Sequence, residues 1–282
     1  MSAQNHIRNP FELALEQLAG AFSLPQMATP RRLAAPTVRK IGAQDLWASL
    51  REGIGDFSAA RDDVLFIGLI YPIAGLVLAQ AILDQDLLPL IFPMAAGFAL
   101  LGPLAAVGLY EISRRREHGK PVNWADALGV FKSPALGSIF TLGLAMVGLF
   151  LLWLAAAYGL YQNTVKPIAG ATIGDFLQVV FTTPQGRTMI VAGFAIGFVF
   201  AVVALAVSVV SFPLLLDRDI GVVEAVRTSI QTVKTNAGPM ALWGLVVALA
   251  LAVGSIPALF GLIFVVPILG HATWRLYRKL IA

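Results

Sequence analysis

The feature that most restricts this chain is the recurrence of long stretches without a charged side chain. A hydrocarbon core about 30 Å thick is crossed by about 20 apolar residues, each rising 1.5 Å along an α-helix. Six stretches satisfy that requirement: Val64 to Leu83, Leu87 to Tyr110, Leu136 to Tyr161, Thr188 to Leu216, Ala237 to Gly254 and Pro257 to Trp274. None contains Asp, Glu, Lys or Arg. Only 13% of the 282 residues are charged and 58% are hydrophobic, against about 25% charged in a soluble domain. So little polar surface cannot clothe a water-soluble core of this size. The reading is an all-α membrane protein.

The connections organise the six spans. Asp84, Gln85 and Asp86 alone separate the first two, and Ser255 and Ile256 alone the last two, so both pairs form antiparallel hairpins. Spans three and four are joined by residues 162–187, where Thr172 and Asp175 have the spacing of a capping box before Phe176, Leu177 and Val180. That pattern predicts a short helix at the membrane surface or an ordinary capped loop helix. Each hairpin follows a segment with apolar residues at helical spacing. These are Leu46, Leu50, Ile54 and Phe57; Trp124, Leu128 and Phe131; and Val222, Val226, Ile230 and Val233. The plan is three hairpins, each introduced by a cytoplasmic amphipathic helix, which is an internal repeat. Pro103, Pro213 and Pro267 recur in the second span of each hairpin, where a missing backbone donor kinks a helix.

Orientation follows from basic residues near the span ends. Thirteen lie on one side: Arg51, Arg61, Arg114, Arg115, Arg116, Lys120, Lys132, Arg218, Arg227, Lys234, Arg275, Arg278 and Lys279. Lys166 and Arg187 lie on the other. The basic side is the cytoplasm, so both termini face it and the membrane is a bacterial inner membrane. No removable signal peptide is legible before residue 63, and insertion is expected to begin at an internal span. Residues 1–40 read as a flexible cytoplasmic tail because Pro25, Pro30 and Pro36 interrupt any helix, and residues 41–282 as the membrane domain.

Several chemistries lack their residues. There is no cysteine, and three histidines, His6, His118 and His271, are too few for haem or zinc ligation of any standard kind. No GxSxG, HExxH, GxxxxGK[ST] or GxGxxG occurs. Ser113, His118 and Asp126 have no spacing that would align a triad. The expectation is a chain without catalytic residues, cofactor or metal, and without a nucleic-acid partner despite its net charge of +4.

Two groups of residues are candidates for binding. Arg114, Arg115, Arg116 and Lys120 directly follow span two, where they either dock anionic lipid head groups or a partner protein, or simply anchor topology. Pro72 in span one and Pro93, Gly97, Gly102 and Pro103 in span two, with Pro213 and Pro267, mark either kinks around a cavity or sites of close helix packing. The partners expected are membrane lipids, and beyond them another membrane protein or a second copy of the chain. A non-catalytic scaffold is the leading reading. A small-molecule or lipid transporter with a cavity near span two is the alternative.

The stretches IGAQDLWASLREGIGDF (41–57), GFALLGPLAAVGLYEISRRRE (97–117), SFPLLLDRDIGVVEAVRTSIQTVKTN (211–236) and ILGHATWRLYRKL (268–280) resemble bacterial integral membrane proteins grouped as domain of unknown function 2189. The resemblance extends over about Val38 to Leu280. It implies a multi-span membrane protein and brings no activity with it. The third cytoplasmic helix also resembles that of membrane domains attached to glycerophosphodiester phosphodiesterases, whose catalytic part has no counterpart here.

Overall fold

The computed structural model describes residues 36–59, 90–166, 168 and 173–282, with scattered positions between 68 and 80. Its regular structure is helical throughout: α1 (Ala43–Ala59), α2 (Ile91–Ala105), α3 (Val107–Glu117), a 3₁₀ helix (Trp124–Lys132), α4 (Leu136–Thr164), α5 (Ile173–Thr182), α6 (Pro184–Ser208), α7 (Ser211–Asp217), α8 (Val222–Thr235), α9 (Ala237–Ser255) and α10 (Leu262–Leu280). Among the described residues three helical runs are long and apolar enough to cross a membrane: α4, the α6–α7 run Pro184–Asp217, and α9.

Local chemistry explains why spans two and six are not continuous apolar helices over their expected bounds. Pro103 lies inside α2, and the helix gives way three residues later at Ala106, whose N–H reaches Gly102 O at 2.8 Å. The proline removes an i to i−4 bond, and α2 alone is only about 22 Å long at 1.5 Å per residue. The last helix begins at Leu262 rather than Pro257, after a turn in which Ala258 and Leu259 take positive φ values of 47° and 70°. It then runs on to Leu280, so its final turns carry Arg275, Arg278 and Lys279. Of span one, the described Gly68, Pro72 and Gly75 are buried, whereas Leu69, Ile73 and Leu76 are exposed. The Asp84 to Asp86 connection lies outside the described residues.

Packing uses small residues where backbones approach. A Cβ on Gly68 would stand 2.5 Å from the Ile263 carbonyl oxygen of α10, and one on Gly53 would stand 2.6 Å from Ala272 N. The second contact explains a rotation of α1. Its buried face is Leu46, Ser49, Gly53, Asp56 and Phe57, whereas Leu50 is half-buried and Ile54 is exposed. The helix thus turns Gly53 to the α10 backbone at Ala272, beside Phe57, which meets Phe264 of α10 edge to face at 6.3 Å. In the body, Trp153 of α4 stacks on Phe200 of α6 at 6.3 Å, and a Cβ on Gly197 would touch that indole at 3.3 Å. The outer faces are apolar: Phe140 and Leu152 on α4, Phe194 and Phe198 on α6, and Leu249 and Val253 on α9 are all more than half exposed. A soluble monomer does not display such a surface.

The segment expected to form the second amphipathic helix is 3₁₀, not α. Asn123 and Asp126 cap it reciprocally, with Ala125 N–H donating to Asn123 Oδ1 at 2.9 Å and Asn123 N–H to Asp126 Oδ2 at 2.8 Å. Three residues per turn put Leu128 and Phe131 on one face, and both are exposed. The surface helix expected after Asp175 is α5; Thr172 lies outside the described residues.

The expected tail lies outside the described residues as far as residue 35, but residues 36–40 are held. Val38 bridges Ile281, Arg39 N–H donates to Leu280 O at 2.8 Å, and Ala282 N–H to Thr37 O at 3.0 Å. Residues 37–39 are thus bonded to the end of α10 and the residues after it.

Candidate functional site

The basic half of α10 lies against α1 and α3 and close to α7, and nearly every turn of it meets a polar partner. On α1, Asp56 is 5% exposed and accepts both Arg275 Nε and Nη2, at 2.7 and 2.8 Å. Arg116 of α3 adds a bond to the Asp56 backbone carbonyl at 2.6 Å. A carboxylate removed from water has to be paired in this way. The hydrogen bond to Asp56 is the main cause that raises the Arg275 pKa above its ordinary value.

One turn further, Glu117 accepts Trp274 Nε1 at 3.1 Å and Arg278 Nε at 2.9 Å. Asp217, at the end of α7, accepts the Tyr277 hydroxyl at 2.6 Å and Arg278 Nη1 at 3.2 Å. Burial, with Asp217 beside it, pushes the Tyr277 phenol well above its usual range. Lys279 closes the rim on Glu52 at 2.7 Å. Basic residues in the last turns of α10 also complement its macrodipole.

The three arginines singled out in the sequence are drawn into the same girdle. Glu111 is 3% exposed and accepts Arg114 at 2.8 and 3.0 Å and Arg115 at 2.8 Å. Arg115 also meets Asp126 of the 3₁₀ helix. The bond to Glu111 is the main cause that raises the Arg115 pKa. Arg116 turns to Asp56 as described. Lys120 is exposed and has no ion pair among the described residues.

The proline and glycine positions are dispersed. A Cβ on Gly97 would collide with the Phe150 ring of α4, and nothing lies within 4 Å of one on Gly102. Pro72, Pro93, Pro213 and Pro267 are buried, and Pro103 is half-buried. Two depressions in the surface, one lined by Leu46, Trp47, Leu50, Leu242, Trp243 and Val246 and the other by Ala145, Gly148, Leu149, Leu151 and Leu152, contain none of these residues.

Ser113, His118 and Asp126 do not meet. Ser113 Oγ lies 2.6 Å from His271 Nδ1 of α10, His118 Nδ1 bonds to Arg114 O at 2.7 Å, and Asp126 faces Arg115. His271 is fully buried, and among the described residues its Nε2 has no hydrogen-bond partner. Among the described residues no group of three or more His, Asp or Glu is placed to hold a metal ion.

The protein thus combines membrane-capable helices with a girdle of paired charges at one end. Residues 91–217 match the family of predicted integral membrane proteins described as DUF2189. The match runs from α2 to α7 and contains Glu111, the three arginines, Asp126 and Asp217. The stretches 41–57 and 268–280, which hold Asp56 and Arg275, lie outside it. No curated protein and no solved structure matches the chain.

The pairing of Arg114 and Arg115 with Glu111 was missed, although spacings of three and four residues on a helix could have found it. The pairs of Asp56 with Arg275 and of Asp217 with Arg278 join residues 219 and 61 apart. Only one clue to them was present, an aspartate at the inward end of the α1 pattern.

Proposed function

We propose that this is a six-span protein of a bacterial inner membrane, with both termini cytoplasmic, that works without catalysis by contacting lipids or assembling with other membrane proteins. The observation that carries the reading is the pairing of the buried carboxylates. Asp56 and Glu111 are each closed off by arginines of the chain itself, so these charges join helices rather than line an open site. Large apolar side chains cover the outer faces of α4, α6 and α9 instead. The excess of basic residues at the girdle end supports its cytoplasmic placement, and the recurrent prolines support a threefold hairpin plan.

Two experiments test this. Reporter fusions after residues 120, 220 and 282 are expected to report cytoplasm, and those after 85, 168 and 256 the opposite side. Purification from native membranes in mild detergent is expected to retain a reproducible lipid or membrane-protein partner. A preparation that consistently retains neither contradicts the scaffold reading.

Transport of a small molecule or lipid is the second reading, and the interruptions at Ala106 and at Val209 and Val210 favour it. Discontinuous helices are where transporters place their binding sites. Unchanged uptake of a metabolite panel by reconstituted vesicles carrying Gly102→Leu and Pro103→Ala would remove it.

A further inference from the structure

The arginines after span two are the obvious candidates for binding an anionic head group, but they are occupied by Glu111, Asp126 and Asp56. Among the described residues, Arg39, Lys40 and Lys234 have no ion pair, and they lie on two backbone segments that meet although about 195 residues of sequence separate them. Asn236 is 3% exposed. Its Oδ1 accepts Ile41 N–H at 2.9 Å and its Nδ2 donates to Arg39 O at 3.0 Å. A buried side-chain amide is thereby used to fix the backbone of residues 39–41 beside the junction of α8 and α9. The bonds of Arg39 N–H to Leu280 O and Ala282 N–H to Thr37 O hold the same segment from its other side. Arg39, Lys40 and Lys234 all stand exposed around this junction.

The position suits a lipid. α9 is one of the membrane-capable helices and starts at Ala237, directly after Asn236. The three cations therefore belong to segments that flank the start of its apolar run, where the proposed topology puts phosphate groups. Along α9, Ala241, Leu245, Leu249 and Val253 are exposed at four-residue intervals, one apolar stripe leading away from the junction. We propose that Arg39, Lys40 and Lys234, gathered by Asn236, form a head-group site for an anionic phospholipid whose acyl chains lie along this stripe. The proposal rests on the lipid-contact reading above and gives it a site.

The test uses the full chain in nanodiscs containing phosphatidylglycerol and phosphatidylethanolamine, with retained lipid counted by native mass spectrometry. The wild-type protein is expected to enrich phosphatidylglycerol. Each basic residue near the surface attracts anionic lipid by about 1 kcal/mol, roughly five-fold in affinity. Joint replacement by Gln of Arg39, Lys40 and Lys234 is expected to lower the preference on the order of a hundred-fold. Replacing Arg51, Lys132 and Arg227 by Gln removes the same charge from outside the site and is expected to change it less than five-fold. Asn236→Ala keeps every cation but frees the segment, and is expected to lose at least five-fold while the Arg39→Lys and Lys40→Arg pair retains binding. Thermal unfolding identifies any variant that is misfolded, and the triple Gln replacements, on exposed side chains, decide the matter if Asn236→Ala is unstable. Equal losses in the two triple variants would overturn the site and leave general lipid contact standing. No phosphatidylglycerol preference in the wild-type protein would overturn the site, whereas the scaffold reading fails only if native purification also returns neither lipid nor partner.

Discussion

The two ends of α10 are held by different physics. In its first half, Gly68 of span one approaches the Ile263 carbonyl, and Val265 lies near Gly254 of α9, so shape alone sets the fit. In its second half Asp56, Glu117 and Asp217 take up its basic and aromatic side chains one turn after another. The proposed embedding of the first half of α10 in the membrane accounts for the difference. Acyl chains are as apolar as leucine, so helices embedded in them gain little by burying greasy residues and depend on close packing. Where water and head groups begin, charge pairing can fix one helix against another, but each buried carboxylate then requires its partner.

The largest effect is expected from removing such a partner. Arg275→Met leaves the Asp56 carboxylate buried with only the more distant Arg116 Nε, 3.8 Å away, and should lower stability by about 3–5 kcal/mol. Replacing both residues, Asp56→Leu with Arg275→Met, should recover most of that loss, because the desolvated charge is gone as well. Thermal or denaturant unfolding of the detergent-solubilised protein measures both. A single variant as stable as the double one would mean that water reaches Asp56 and that the contrast between the two ends is false.

Overpacking in the apolar region ranks next. Gly97→Ala inserts a methyl group where the Phe150 ring lies, and a loss of about 1–3 kcal/mol is expected. Pairing it with Phe150→Leu should relieve part of the strain. The same unfolding measurement applies, and additive losses in the double variant would show that the two side chains do not touch.

This contrast also marks what could be read from the residues alone. Three of the expected spans coincide with membrane-capable helices because crossing a bilayer imposes a length and forbids charge, as Leu136 to Tyr161 shows inside the observed α4. The capping of the segment after Asn123 was not foreseen, and its 3₁₀ geometry differs from the expected α-helical stripe. Buried Asp56 could not be matched to Arg275 because neither periodicity nor spacing links residues so distant in the chain. The rotated face of α1 escaped for a related reason: hydrophobic periodicity ranks Leu50 and Ile54 above Gly53, whereas the approach to Ala272 demands the residue with no side chain. Charge counting identified a basic end. It could not tell which arginines were already neutralised.

A smaller effect separates hydrogen bonding from packing within the girdle. Tyr277→Phe keeps the ring against Trp274, whose centroid is 5.4 Å away, and removes the bond to Asp217. The expected loss is about 0.5–1.5 kcal/mol. Because burial holds the folded phenol above the ordinary tyrosine value of about 10, the folded chain keeps its proton where the unfolded chain gives it up. Its contribution is complete below pH 10 and falls as the pH rises beyond it. Stability of the wild-type protein should therefore decline more steeply above pH 10 than that of Tyr277→Phe, and parallel alkaline limbs would exclude the coupling.

The least effect is expected on the lipid-facing stripe. Leu249 is 56% exposed, and the exchange of its side chain for alanine leaves an acyl chain to fill the space. Leu249→Ala should change stability by no more than about 0.5 kcal/mol in a bilayer or micelle. A buried leucine in a soluble core would lose about 2–5 kcal/mol, so the measurement distinguishes a lipid-facing stripe from one covered by protein. A loss of several kcal/mol at Leu249 would place a protein partner there, and the division between a packed apolar body and a paired polar end would then have to include a second chain.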